Sequence, residues 1–298
     1  MANQEVEAFK ELLAAGAIGD GEERSLEDMR GGYEQLGGAF PIADDVSIEE
    51  FSADGVSARF TNIGDNASDS ILFYLHGGGY VIGSLTTHQS LVADISRAGG
   101  VKGFAIDYEL APEGQFPCAT RDAVKAYQWL LGTGVKAENI VIAGDSAGGG
   151  LTVATLVKLR DQNIPLPGAA ILLSPWADLT HTSDSMDSRA EEDPMVSRES
   201  LNMMADMYLA GADRKNPEAS PVFADLTGLP PMLIQVGTAE VLLDDSRLLA
   251  KNAKAAGVDV TLQEWEEMVH VFPHYAPIIS DGKKAIDQMG DFIRTHLN

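Results

Sequence analysis

Six short apolar runs set the tightest limit on what this chain can fold into: ILFYLH (71–76), VKGFAIDY (101–108), NIVIAGDS (139–146), AAILLSPW (169–176), PMLIQVG (231–237) and VDVTLQEW (258–265). Each is too short for a buried helix, and most are apolar on consecutive positions rather than alternate ones. Between most of them lie stretches such as RDAVKAYQWLLGTG, GGLTVATLVKLRDQ and SRLLAKNAKAAG, which repeat apolar residues at helical spacing. Continuous apolar strands alternating with helices imply a parallel sheet covered on both faces. Ahead of them, VSIEEFSA and VSARFTNI alternate and are joined by Asp54-Gly55, a hairpin signal. The expected architecture is therefore α/β with eight strands, the first pair antiparallel. Two helices precede it, around Glu5–Ala15 (apolar at Val6, Phe9, Leu12 and Leu13) and Leu26–Leu36, separated by the breaker GAIGDGEE. A chain of 298 residues, 45% hydrophobic, can bury the core of one large α/β domain with an appended cap.

One connection is out of proportion. About 55 residues separate SPW from PPMLIQVG, and their middle, MVSRESLNMMADMYLAGA, reads as a methionine-rich amphipathic helix. An insertion of that size beside a sheet edge reads as a lid over a site, with a packing excursion as the plainer alternative.

In open parallel sheets ligands bind beyond the carboxyl ends of the strands. Ser146 lies there, between NIVIAGD and the helical GGLTVATL, in a Gly-x-Ser-x-Gly pattern. Glycine supplies 30 of the residues, so the pattern alone decides little. Its strand–turn–helix setting is what a nucleophile elbow requires. Gly144 and Gly148 leave room where strand and helix crowd together, and the following helix N-terminus offers free N–H groups. A second signal is independent: ILFYL runs into His76-Gly77-Gly78-Gly79-Tyr80. Three successive glycines are costly unless a backbone shape needs them, and N–H groups aimed at an oxyanion, joined by that of Ala147, are such a need. A phosphate-binding loop fails, because no Gly-Lys-Ser/Thr follows either glycine cluster.

A serine hydroxyl needs a base. His76 belongs to the glycine loop and is expected to hold it by hydrogen bonding. His88, His181 and His296 lie in polar or terminal stretches and are expected at the surface. His270 follows the last strand in VTLQEWEEMVHVF, at the same sheet edge as Ser146; His274 is the runner-up. For the orienting carboxylate, Glu240 lies just beyond the strand-closing Gly237, while Asp244 and Asp245 open a helix and are expected to cap it. The order Ser146, Glu240, His270 is the nucleophile–acid–base order of α/β-hydrolases. Cys118, the only cysteine, begins a helix and is expected to be buried packing rather than a nucleophile.

With these residues in view the chain resembles the bacterial hormone-sensitive-lipase-like carboxylesterases of the α/β-hydrolase fold. The resemblance spans about residues 65–297 and rests on HGGGY, DYELAPEGQFP, GDSAGG, SPWADL, the EVLLDDSR block and His270-Val-Phe. It implies hydrolysis of short-chain carboxylic esters without a cofactor or metal. Gly78, Gly79 and Ala147 would form the oxyanion hole, Gly77 would support it, and His76 and Asp145 would support the two motifs. It also implies a cap made of residues 1–45 and 181–220 over a catalytic core of 46–180 and 221–298, and a homodimer. Two departures stand out. Many members carry aspartate at the position of Glu240, which keeps Asp244 open as the acid. Tyr108-Glu109-Leu110-Ala111-Pro112 replaces the usual Tyr-Arg-Leu-Ala-Pro, so a structural arginine contact is expected to be missing or rewired. Tyr80, Trp176, Met207 and Tyr208 are candidates for pocket lining, or equally for core.

The bulk charge favours neutral or cationic ligands and speaks of solubility rather than of chemistry. A formal net charge of −24 repels nucleic-acid phosphates and anionic membranes, and it also suits a heavily solvated surface. The N-terminus has no basic region followed by an apolar run, no stretch approaches a membrane span, and the lone thiol suits a reducing cytoplasm. The expected mechanism is two-step acyl transfer, with activity lost on acidification through a pKa of about 6–7. The alternatives are an amidase, peptidase or lactonase using the same triad, or a non-catalytic receptor on the same fold.

Overall fold

The computed structural model describes residues 4–16, 25–64 and 69–297, so the GAIGDGEE spacer beyond Gly16 lies outside them. The eight expected runs are eight strands: β1 (Val46–Ala53), β2 (Val56–Ile63), β3 (Ile71–Leu75), β4 (Lys102–Asp107), β5 (Ile140–Asp145), β6 (Ala169–Leu173), β7 (Met232–Gly237) and β8 (Val260–Trp265). They form one sheet in the order β1-β2-β4-β3-β5-β6-β7-β8. The hairpin turns at Asp54-Gly55 and attaches through β2 to β4, antiparallel; every later pair is parallel. The helices are α1 (Gln4–Gly16), α2 (Leu26–Gly38), α3 (Gln89–Gly99), α4 (Cys118–Gly132), α5 (Ala147–Asp161), α6 (Ser185–Ser188), α7 (Arg198–Leu209), α8 (Leu243–Ala255) and α9 (Ser280–His296).

Alternation along the central strands creates two cores, because successive side chains point to opposite faces. Ile71, Phe73 and Leu75 join Ile140 and Ile142 beneath Tyr127 and Leu130 of α4 and Leu151 and Leu156 of α5. Leu72 and Tyr74 join Val141 and Ala143 on the other face, under Leu91 and Ile95 of α3 and Met289 and Ile293 of α9; Val6 and Phe9 of α1 belong to the same cluster, with Phe9 4.4 Å from Tyr275 between ring centroids. Fully burying such a side chain stabilises by about 1.5–3 kcal/mol, which explains why the runs are apolar at consecutive positions.

The segment between β6 and β7 carries α6 and α7. Ser197 caps α7 through a reciprocal bond with Ser200, and Leu201, Ala205, Tyr208 and Leu209 form its buried face. At the other end of the chain, Arg30 of α2 donates to the carbonyls of Val81 and Ala111 and to both oxygens of Glu113. Arg30 thereby fastens α2 over the loops that leave the carboxyl ends of β3 and β4. No helix among the described residues is long and apolar enough to cross a membrane.

Candidate active site

Ser146 stands between β5 and α5 with φ 51° and ψ −121°, a conformation that costs a non-glycine residue about 1–3 kcal/mol. Its surroundings enforce it. The Ser146 N–H donates to Leu173 O at 2.8 Å, and its carbonyl accepts from Trp176 N at 2.8 Å and Gly149 N at 3.0 Å. A side chain at position 148 would collide with Leu75 O, so the helix can approach β3 only because residue 148 is glycine. The result is a half-buried serine held at the carboxyl edge of the sheet.

Two loops further along the same edge bring in an acid and a base. Glu240, fully buried, lies 2.8 Å from His270 Nδ1 through Oε2. Its other oxygen accepts from Gly237 N at 2.6 Å and from the Ser174 hydroxyl at 2.7 Å. A carboxylate can only accept, so Nδ1 carries the imidazole proton and Nε2 is left as the base. Burial pulls the His270 pKa down, but the hydrogen bond and charge of Glu240, with Asp193 and Asp145 behind it, outweigh burial and raise it above the ordinary histidine value. Ser174 ends β6 at φ 44° and also accepts from Val271 N at 3.1 Å, so one hydroxyl ties the acid loop to the base loop.

The glycine loop is held from beneath. Asp145 Oδ1 accepts from Gly77 N at 2.9 Å and from the Tyr74 hydroxyl at 2.7 Å, and Oδ2 faces His88 Nε2 at 3.2 Å. Burial opposes its charge, yet the charge and hydrogen bond of His88, with the bond from Tyr74, keep its carboxyl far below the ordinary range. Gly78 has φ +108°, and a Cβ there would collide with Ile82 O. Among the described residues no backbone acceptor takes the N–H of Gly78 or Gly79. Ala147 opens α5, where the first N–H groups have no partner inside the helix. His76 Nδ1 lies 2.7 Å from Gly77 O.

Several expectations need correction. His88 and His181 are buried, not superficial: His88 faces Asp145, and His181 Nε2 accepts from Trp176 Nε1 at 3.0 Å. Both sit in polar sequence, but their burial comes from partners distant in the chain. Asp244 and Asp245 lie in the first turn of α8 without capping it. Asp244 accepts from Ser185 N, and Asp245 from Ala177 N and Asp178 N, so both carboxylates secure the segment after β6. His274 is buried against His88 and Phe40, and burial, with the charge of His88, holds its pKa down to about 3. Cys118 is half-buried rather than buried.

The expected rewiring near Glu109 takes a definite form: Glu109 accepts from Arg121 Nη2 at 3.2 Å, and Arg30 reaches the carbonyl of Ala111. Tyr80, Trp176 and Tyr208 are buried together, with Tyr80 stacked on Tyr208 at 3.8 Å between ring centroids; Met207 is half-buried. Met204 went unnoticed in the sequence, although its sulfur packs against Gly79. Ser174, His88 and Asp193 were missed as well. Only Ser174 left a signal, its place at the end of an apolar run.

The chain matches the family model described as the alpha/beta hydrolase fold over residues 72–274. It is 41% identical to an acetyl-hydrolase of Streptomyces hygroscopicus over 301 residues, covering 99% of this chain and 98% of that protein. It is 34% identical to an esterase of Acinetobacter venetianus, covering 89% and 87% of the two chains. Among solved structures, an esterase from the bacterial hormone-sensitive lipase family superimposes with a TM-score of 0.96 at 44% identity, covering 100% of both chains. An esterase/lipase from an uncultured bacterium superimposes with a TM-score of 0.94 at 48% identity over 99% of both.

Proposed function

This chain belongs to the bacterial hormone-sensitive-lipase-like carboxylesterases of the α/β-hydrolase fold, and from that premise we propose that it cleaves short-chain esters with a Ser146–His270–Glu240 triad through an acyl-enzyme. It is a carboxylic ester hydrolase acting on small-molecule esters. The observation that carries the triad is the 2.8 Å pairing of His270 Nδ1 with the buried Glu240, at the sheet edge where the strained Ser146 stands. The acetyl-hydrolase spanning nearly the whole chain supports a small acyl group.

In this reading Ser146 Oγ attacks the ester carbonyl carbon and its proton passes to His270 Nε2. Glu240 keeps Nδ1 protonated and stabilises the imidazolium that forms. The carbonyl oxygen becomes an oxyanion facing the N–H groups of Gly78, Gly79 and Ala147; each such donor contributes about 10²–10³ in rate. The tetrahedral intermediate then collapses, the alkoxide takes the proton from His270 and leaves, and Ser146 remains acylated. Water, deprotonated by His270, attacks the acyl carbon; the second tetrahedral intermediate collapses, Ser146 Oγ takes the proton back from His270, and the acid is released. Helices α1 and α2 and the insertion bearing α6 and α7 act as the cap, and Met204 against Gly79 supports a contact between cap and oxyanion loop.

The test is turnover of a short-chain chromogenic ester. Ser146→Ala is expected to abolish it, and wild-type turnover by that variant would overturn the triad.

A further inference from the structure

The segment between β6 and β7 does more than cover the sheet edge: it grips the loop that carries the acid. Asp193, only 9% exposed, accepts from Val241 N at 3.0 Å through Oδ2. Val241 is the residue after Glu240. The other oxygen of Asp193 accepts from Met195 N at 3.0 Å and Val196 N at 2.9 Å, which fixes the lead into α7. Ser185 completes the grip, donating to Val241 O at 2.6 Å and accepting from Asp244 N at 3.1 Å. Both backbone polar groups of Val241 are thus held by the insertion.

His270 meets Glu240 of the β7–α8 loop directly and feels the charges of Asp193 in the insertion and Asp145 at the end of β5. Asp193 in turn faces His270 and Glu240. Burial raises the Asp193 pKa and the charge of Glu240 adds to the rise, while the charge of His270 and the N–H groups of Val241 and Met195 work against it. A nearly buried carboxylate is costly unless a cation or several donors answer it. The cation here exists only when His270 is protonated, which in the triad reading happens as each tetrahedral intermediate forms. A fixed negative charge at that place stabilises the transition state more than the resting base.

We infer that Asp193 is a positioning residue for the His270–Glu240 pair, clamping the acid loop to the insertion and adding a second carboxylate field at the imidazole. The inference rests on the triad reading and adds a residue to it. It couples the insertion to catalysis through one side chain.

The test is the pH profile of kcat/KM on a short-chain ester for wild type, Asp193→Asn, Asp193→Ser and Asp193→Glu. The first two variants remove the charge, and either side chain can still accept from the N–H groups two and three residues on. Their acid limb is expected to move to lower pH by about half a unit or more. Their kcat should fall ~3–30-fold with KM nearly unchanged. Asp193→Glu keeps the charge and should leave the limb near its wild-type position. Should Asp193→Asn not fold, Asp193→Ser carries the same expectation. An acid limb unmoved in an active, charge-removed variant overturns the inference. Ser146→Ala in the same assay separates the two claims: wild-type turnover there defeats the triad itself, whereas an inactive Ser146→Ala with unmoved limbs at position 193 defeats only the role of Asp193.

Discussion

The Glu240 carboxylate meets His270 Nδ1 at 2.8 Å with one oxygen while the Ser174 hydroxyl and the Gly237 N–H hold the other. A fully buried acid therefore has partners on both oxygens, which is what keeping a carboxylate out of water requires. The Ser174 hydroxyl also receives Val271 N, so acid and base loops share one anchor. That arrangement accommodates glutamate, with its longer side chain, in the place proposed for the triad acid.

Removing the charge of Glu240 should therefore be severe. Glu240→Gln is expected to lower kcat by ~10³–10⁴, the scale seen when a triad acid becomes an amide and the imidazole tautomer is no longer enforced. Asp244→Asn, whose carboxylate serves Ser185 N and Arg247 instead, should stay within about tenfold of wild type. Steady-state kinetics on both variants decide between the two acids; the reverse ranking would reassign the role to Asp244.

The acid limb follows from the raised His270 pKa. Only the neutral imidazole can take the Ser146 proton, so activity should rise with pH through a value above the ordinary 6.5. In Glu240→Gln the raising charge is gone and burial remains, so the limb should move downward. A kcat/KM profile for both proteins checks the sign.

At the proposed oxyanion loop, Gly78→Ala should drive the Cβ into Ile82 O at a backbone φ that alanine resists. Displacing one donor is expected to reduce kcat by ~10²–10³ while substrate binding changes little. A fall in KM-dependent binding alone, with kcat preserved, would argue against that placement of the hole.

Acid should also weaken the fold. Burial, then the charge of His88, holds both His76 and His274 down to about 3, against an ordinary 6.5. Between those values the unfolded chain binds protons that the folded chain refuses. Stability is thus lost as pH falls below about 6.5, by ~1.4 kcal/mol per pH unit for each such histidine well inside the window. His274→Phe cannot titrate, so its thermal midpoint should drop less between pH 7 and pH 5 than that of the wild type. Equal losses would contradict this account.

Much of the fold was legible because run length and continuity report directly on burial: the strands from Ile71 to Gly237 are apolar where both sheet faces are covered. The placement of Ser146, Glu240 and His270 was legible for a related reason, since each follows a strand at the same sheet edge. What escaped was set by partners far away in the chain. His88, flanked by threonine, glutamine and serine, reads as a surface residue until Asp145 is seen beside it. Asp244 and Asp245 start a helix as expected, but their oxygens answer N–H groups of another segment rather than of α8. Asp193 carries no local pattern at all. Its meaning lies in Val241 N, 48 residues on.

The most direct test of the central claim is mass spectrometry of the protein after reaction with a serine-directed phosphonate. One adduct per chain on the peptide containing Ser146, with esterase activity lost in step, is the result predicted. Complete loss of activity with the adduct on another residue, or full activity with Ser146 modified, would contradict it.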